Sequence, residues 1–231
     1  MFLRKKRMVM LLMLSIVLLL AACGSKEGNS EVSSQKSSPA TIPFSEALEE
    51  YSVWIGTNDK DLEELNRDTS IDFIFVFKNG NVKYYDYRTY EKYRSASTIG
   101  EITKVTMVDE SLTIEDVTNM SDKEIVKHAE ENAAEEINLG EYSLNVLLDD
   151  NGNYTKKEEL ITQNEPKFND TMYTDISFSK EFFGKNFAGM SMHGLPTGKS
   201  WTGGFLLTRT DDFFKLDSPD TKKKNVTIEA E

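Results

Sequence analysis

The stretch IDFIFVFKNGNVKYYDY, residues 71–87, decides how this chain of 231 residues builds its sheet. Asn79-Gly80 is the pair that a two-residue type I′ turn favours, because both central residues need positive φ. The turn sets the register of the flanking strands and predicts three facing pairs, Phe77–Val82, Phe75–Tyr84 and Ile74–Tyr85. Apolar residues occupy both faces of the first strand, which predicts a strand that is central and buried on both sides.

One amphipathic helix is predicted from about residue 122 to 139. Ser121 and Glu124 have the spacing of a capping box, in which each side chain bonds the other residue's backbone N–H. Apolar residues then recur at helical spacing as far as Ile137. Gly140 stands where a C′ glycine would end the helix.

Beyond Gly140 the pattern changes to that of β-strands. Clusters of Gly, Pro, Asn and Asp separate five strand-like segments, at 144–148, 171–179, 203–209, 212–217 and 225–229. Alternation within 171–179 predicts one buried face, made by Met172, Thr174, Ile176 and Phe178.

These segments predict an α+β fold, with an antiparallel β-rich body and one main amphipathic helix. A boundary near residue 140 would give an N-terminal α+β lobe at 42–140 and a C-terminal antiparallel β lobe at 141–231. One continuous sheet is the alternative.

The N-terminus has the order of an export signal, with basic residues followed by an apolar run. Arg4 to Arg7 are all cationic, and the apolar run extends from Met8 to Ala22. As a helix this run is roughly 22 Å long, shorter than the roughly 30 Å hydrocarbon core of a membrane. We therefore expect residues 1–22 to be a signal peptide that is removed.

Leu20-Ala21-Ala22-Cys23, followed by Gly24-Ser25, resembles the lipobox of bacterial lipoproteins. The resemblance implies cleavage between Ala22 and Cys23 and diacylation of the Cys23 sulfur, with a third acyl chain, such as palmitate, as an option. Two acyl chains anchor a protein stably where one is marginal. The implied location is the extracytoplasmic face of the cell membrane.

Residues 23–41 are predicted to be a lipidated cysteine followed by a disordered tether, because this segment is rich in Gly, Ser and Lys and nearly free of large apolar side chains. Cys23 is the only cysteine in the chain, so no disulfide is expected. The Lys/Asn/Glu-rich composition, together with this lack of disulfides, favours a Gram-positive cell.

Charge limits the partners that we expect. The chain has a formal net charge of −12, and removing residues 1–22, with their four cations, lowers it by four to −16. Such a charge repels nucleic acid. The predicted partners are the membrane, through the lipid anchor, and an envelope protein or wall polymer; no cofactor is predicted.

Tyrosines cluster in KYYDYRTYEKYR, residues 83–94, and Tyr85, Tyr87 and Tyr90 are candidates for a binding patch on sugars or protein. The competing interpretation, which we favour, is that Tyr84 and Tyr85 pack against Phe75 and Ile74 in the hairpin.

The segment GMSMHG, residues 189–194, offers two weak sites. Met190, Met192 and His193 are donors that suit Cu(I), although methionines in a strand are usually core. Ser191 beside His193 resembles a nucleophile and its base, yet the G-x-S-x-G pattern is incomplete. With only two histidines in the chain, a His/Cys metal cluster is excluded.

Residues 147–160, LLDDNGNYTKKEEL, imitate a calcium-binding loop. Asp149, Asn151 and Glu158 fall at positions three, five and twelve, but Leu147 occupies position one, where a carboxylate is required. We therefore favour the turn of a β-hairpin.

No constellation of residues nominates a catalytic site. The preferred hypothesis is a non-catalytic binding or interaction lipoprotein of the cell envelope. The alternatives are an enzyme acting on the cell wall and a lipoprotein of the immunity or exclusion type. A pocket with converging carboxylates of shifted pKa would favour the enzyme.

Overall fold

The computed structural model describes residues 39–59, 61–94, 101–164, 172–195 and 203–229. The strands in chain order are β1 (Thr41–Pro43), β2 (Val53–Thr57), β3 (Phe73–Lys78), β4 (Asn81–Asp86), β5 (Arg88–Arg94), β6 (Glu101–Met107), β7 (Glu135–Leu148), β8 (Thr155–Thr162), β9 (Met172–Phe182), β10 (Lys185–His193), β11 (Gly204–Arg209), β12 (Phe213–Lys215) and β13 (Val226–Glu229). The helices are α1 (Phe44–Glu50), α2 (Ile114–Asn119) and α3 (Asp122–Asn132).

Eight antiparallel strands form one sheet that closes on itself. The order is β7-β4-β3-β2-β11-β10-β9-β8, and β8 pairs with β7 again. Closure is achieved by β7, which pairs with β4 through residues 135–141 and with β8 through residues 142–148. The fold is therefore α+β and β-rich, as predicted, with a barrel-like body.

Three further strand pairings lie outside the closed ring. β13 adds to β7 in parallel, from Val226 beside Leu144 to Glu229 beside Leu147. β1 and β12 form a short parallel pair, and β5 and β6 form a separate hairpin.

Aromatic side chains fill the inside of the closed sheet. Phe73, Phe75 and Phe77 of β3 are buried there, and Phe75 contacts Tyr84 with ring centroids 5.2 Å apart. Trp54 joins the same core between Phe44 of α1 and Phe214 of β12, at centroid distances of 5.6 and 5.3 Å. The interior is thus packed with side chains, and α1 and β12 belong to its core.

The outer face of the sheet carries a second core beneath α2 and α3. Ile74 and Tyr85 of the central hairpin are buried against residues such as Ile125 and Ala129 of α3. Arg209 of β11 fastens the helices, because its guanidinium donates to the carbonyl of Val117 at 3.0 Å and also to Met120 and Asp122. Strand β3 is therefore buried on both faces.

The hairpin prediction is confirmed in detail. All three expected pairs, Phe77–Val82, Phe75–Tyr84 and Ile74–Tyr85, are register partners. Asn79 and Gly80 have φ values of 52° and 76°, as a type I′ turn needs.

The predicted helix is real but shorter than expected. Ser121 and Glu124 form the capping box, and the helix ends at Asn132 instead of residue 139. Residues from Glu135 onwards join β7 because they pair with β4. Gly140 has a φ of 76° and lies at an irregularity in that pairing, so its positive φ serves a bulge in a strand and not the end of a helix.

Two predicted boundaries are wrong. A division at residue 140 falls inside β7, and residues 39–231 form one compact unit whose closed sheet takes strands from both predicted lobes. The tether was predicted to reach residue 41, yet the N–H of Ala40 donates to Asp212 Oδ1 at 2.7 Å and Thr41 begins β1.

The alternation predicted for 171–179 holds only at its start. Met172 and Thr174 are buried, whereas Ile176 is 63% exposed. An extra residue in β9 opposite Ser191 shifts the register, so Phe178 packs on the outer face against Phe205. A bulge of this kind reverses which face each later side chain occupies.

Gly56 of β2 provides a test of how tightly the interior is filled. A Cβ added at this position would lie 2.0 Å from Cε2 of the Phe73 ring, which cannot be accommodated without moving the ring. We expect Gly56→Ala to lower the free energy of unfolding by about 1–3 kcal/mol, measured by urea denaturation.

Gly80→Asn is the control. A Cβ at Gly80 meets nothing within 4 Å, and asparagine tolerates a positive φ, so a cost below about 1 kcal/mol is expected. Equal losses in the two variants would contradict a tightly packed interior at Gly56.

Candidate functional site

The predicted tyrosine patch does not form. Tyr85 and Tyr87 are buried under the helices, and the hydroxyl of Tyr87 is hydrogen-bonded to His128 Nδ1 of α3 at 3.0 Å. Tyr90 is half-buried and donates from its hydroxyl to Asp86 Oδ2 at 3.1 Å. The packing interpretation is therefore correct for this segment, and the three tyrosines present no common surface.

The copper candidates are also separated. Met190 and Met192 are fully buried inside the closed sheet. His193 lies outside it, with its ring stacked on Tyr173 at a centroid distance of 4.7 Å. Because the methionines and the histidine project to opposite faces of the sheet, they cannot bind one ion together.

Ser191 is not arranged as a nucleophile. Its hydroxyl donates to Asp175 and accepts from the N–H of Ile176 at 3.0 Å. His193 Nε2 lies 3.6 Å from the same Asp175 carboxylate, which therefore stands between the serine and the histidine. A base must contact the hydroxyl directly to activate it, so this cluster supports the bulge in β9 instead.

The calcium-like loop is the turn of a hairpin, as favoured. Asp149 Oδ1 accepts from the N–H groups of Asn153 and Tyr154, at 2.7 and 3.1 Å. Leu147 and Glu158, at the first and last positions of the proposed loop, lie in β7 and β8. The loop residues and Glu158 do not converge on one point.

Glu158 is instead part of a buried acidic network. Its Oε1 accepts the N–H of Asp217, whose own carboxylate accepts from the N–H and the hydroxyl of Ser45, at 2.8 and 2.6 Å. Glu158 Oε2 is buried without a hydrogen-bond partner among the described residues. Burial raises the pKa of Glu158 to about 8. The network ties α1 to β8 and to the segment after β12.

Neither buried carboxylate network opens into a described pocket. Glu158 and Asp217 are not among the residues that line the four main cavities of the described chain. Asp86 is likewise buried, and its Oδ1 is 2.8 Å from Nε of Arg88. The hydrogen bonds of these carboxylates hold elements of the fold together.

The feature best suited to a ligand is a groove on the outer face of the sheet, which we call the α3 groove. It has a volume of about 820 Å³, within the range typical of small-molecule sites. The half-buried Val76 on the strands and Val126 on α3 supply its accessible apolar surface, and the buried Val53 and Tyr85 lie beneath them.

Lysines border the α3 groove on both sides. Lys78 and Lys83 belong to the strands, and Lys123 and Lys127 belong to α3. Two carboxylates, Asp122 and Glu130, also line it, so lysines outnumber carboxylates among its lining residues on an otherwise acidic protein.

The four lysines differ in their partners. Lys83 pairs with Glu136 at 2.6 Å, and this hydrogen bond raises the pKa of Lys83. Lys127 lies 3.7 Å from Glu131. Lys78 and Lys123 have no carboxylate within 4.0 Å in the part of the chain that the structure describes. These two ammonium groups are available to an anionic ligand.

Sequence reasoning did not identify this groove. Its lysines come from β3, β4 and α3, and nothing in the sequence placed α3 beside the β3–β4 hairpin. The one sequence feature that could have pointed to the groove is the pair Lys123 and Lys127, which are one helical turn apart and therefore share a face of α3.

Comparison of the chain with protein-family models, with curated proteins and with solved structures gave no match. Among the helices that the structure describes, none is both long and apolar enough to cross a membrane. Ala22 and Cys23 lie outside the described residues, so cleavage and lipidation there stay predictions.

The buried Glu158 predicts an unusual dependence of stability on pH. Its pKa is about 8 in the folded chain against an ordinary value of 4.5, so folding favours the protonated form. The contribution of protonated Glu158 to the free energy of unfolding is complete below pH 4.5. It is lost as the pH rises through 8, at up to about 1.4 kcal/mol per pH unit. We expect Glu158→Gln to remove this loss, measured by urea unfolding between pH 5 and 9.

Glu159→Gln is the matched control, because Glu159 is the next residue along β8 and its partly exposed side chain pairs with Lys157 at 3.2 Å. That variant keeps the pH dependence of the unaltered chain. An unchanged pH dependence in Glu158→Gln would show that Glu158 is not held protonated.

Proposed function

We propose that this chain is a lipoprotein anchored through Cys23 at the extracytoplasmic face of the cell membrane, where it binds an anionic component of the envelope without catalysis. The lipobox resemblance at Leu20-Ala21-Ala22-Cys23 supports the anchor. The observation that carries the binding function is the α3 groove, which combines apolar surface with Lys78 and Lys123, two lysines that form no ion pair with any described residue.

The chemistry of the groove selects the class of ligand. Apolar surface from Val76 and Val126 favours a ligand with a carbon framework to bury. Lysines on both sides attract negative charge, and this attraction is local because the rest of the protein is acidic. An anionic molecule with an apolar or aliphatic part meets both requirements.

The position of the carboxylates supports binding over hydrolysis. Asp122, at the edge of the groove, accepts a hydrogen bond from Arg209. Glu158, whose pKa is raised to about 8, lies inside the closed sheet and lines no described pocket. An enzyme acting on the wall needs two carboxylates converging on its substrate, and the α3 groove does not supply such a pair.

The anchor is tested by Cys23→Ser. Diacylation takes place on sulfur, so the variant is expected to lose incorporation of labelled fatty acid and to accumulate as uncleaved precursor. Labelling is followed on gels of cells grown with the fatty acid. Normal labelling of the variant would overturn the assignment of Cys23.

The binding site is tested by the double charge reversal Lys78→Glu/Lys123→Glu. Both lysines are exposed and pair with no carboxylate among the residues that the structure describes, so the fold should be retained while the groove becomes negative. We expect binding of the purified chain to isolated envelopes to weaken at least about tenfold, measured by co-sedimentation.

Lys92→Glu/Lys104→Glu is the matched control. Both lysines are exposed on the β5–β6 hairpin, away from the α3 groove, and the change in net charge is the same. We expect this variant to bind within about twofold of the unaltered chain. Equal weakening in the two variants would mean that net charge, and not the groove, controls binding.

A further inference from the structure

A second concavity lies on the other side of the β3–β4 turn, and we call it the turn pocket. Its volume is about 680 Å³. It is lined by the nearly buried apolar side chains of Leu48, Phe77 and Tyr142 and by the polar residues Glu141, Lys224 and Asn225. The turn pocket therefore resembles the α3 groove in combining apolar residues with a lysine and with groups that form hydrogen bonds.

The two concavities share a border. Lys78 and Asn79 line both of them, at the point where β3 enters the type I′ turn. The turn projects freely here, since a Cβ added at Gly80 would meet nothing within 4 Å. A ligand lying along the α3 groove can therefore continue past Lys78 into the turn pocket.

An unpaired lysine stands in each part of this path. Lys123 lies in the α3 groove, Lys78 at the shared border and Lys224 in the turn pocket, and no ion pair involves any of the three among the described residues. Glu49 of the turn pocket is already paired with Lys223 at 3.1 Å. Three cationic positions in succession suit a ligand whose negative charge repeats along its length.

The remaining polar groups suit hydroxyls. Glu130 in the α3 groove and Glu141 in the turn pocket can accept hydrogen bonds, and the Asn225 amide can donate and accept them. The amide nitrogen of Asn138 can donate, while its Oδ1 already accepts from the N–H of Gly140 at 3.1 Å. A ligand carrying negative charge alone would be repelled by the two glutamates. A chain that alternates phosphates with hydroxyl-bearing carbons offers phosphates to the lysines, hydroxyls to Glu130 and Glu141, and carbon atoms to the apolar surface.

We infer that the α3 groove and the turn pocket together form one track for a linear polyol phosphate, with Lys78 at its midpoint. This inference rests on the proposed binding function and specifies its ligand. A compact anion occupies only one of the two concavities, whereas a polymer engages both at once and gains affinity from the connection between its repeats.

The test measures binding of long poly(glycerol phosphate) and of glycerol phosphate monomer to the lipidated full-length chain in non-ionic detergent. The polymer is expected to bind at least roughly tenfold more tightly than the monomer. Lys123→Gln, Lys78→Gln and Lys224→Gln should each weaken polymer binding roughly two- to fivefold, and Lys104→Gln, outside the track, should not. Affinity should fall as salt is added.

The outcomes separate this inference from the proposed function. If Lys123→Gln weakens polymer binding and Lys224→Gln does not, the track is wrong while the α3 groove remains a binding site. If none of the three track variants differs from Lys104→Gln, both the track and the groove are wrong. Poly-glutamate binding as tightly as the polyol phosphate, with the same lysine dependence, would overturn the ligand class.

Discussion

Residues 135–148 pair with two different strands, with β4 through the first half of β7 and with β8 through the second, and the closed sheet depends on this double pairing. Closure encloses an interior that buried aromatic side chains fill, among them Phe73, Phe75 and Trp54. Whereas α1 contributes to the interior core, α2 and α3 pack on the outside, where α3 buries a narrow stripe made by Ile125 and Ala129. Because the stripe is narrow, α3 does not cover the outer face completely, and the α3 groove is the space that it leaves.

The sequence predicted what depends on short-range rules. The Asn79-Gly80 turn determines the register of its own hairpin, and Ser121 with Glu124 determines where α3 begins. The end of that helix was missed because a glycine with positive φ serves a helix C′ position and a strand bulge equally well. Gly140 is in a strand because the residues near it pair with β4, which lies much earlier in the chain. No local sequence pattern indicates such a long-range pairing.

The functional candidates failed for a related reason. Tyr85 and Tyr87 share one face and Tyr84 lies on the other, as strand alternation predicts. Whether the face of Tyr85 and Tyr87 is exposed depends, however, on where α3 packs. Met190, Met192 and His193 are close in sequence, yet the strand sends the methionines inward and the histidine outward. In the α3 groove the reverse holds: Lys78 and Lys123 are remote in sequence but line the same cavity, because α3 packs on β3 and β4. Its chemistry, cationic on an otherwise acidic chain, is a property of the folded surface.

Lysine footprinting of the protein in intact envelopes tests the proposal that the α3 groove holds an envelope component. Intact envelopes and the detergent-purified protein are acetylated under the same conditions, and modification of each lysine is measured by mass spectrometry. The account predicts that Lys78 and Lys123 react much more slowly in the envelope, while Lys92 and Lys104 on the β5–β6 hairpin react equally in both. Equal reactivity of Lys78 and Lys123 in the two preparations would contradict it.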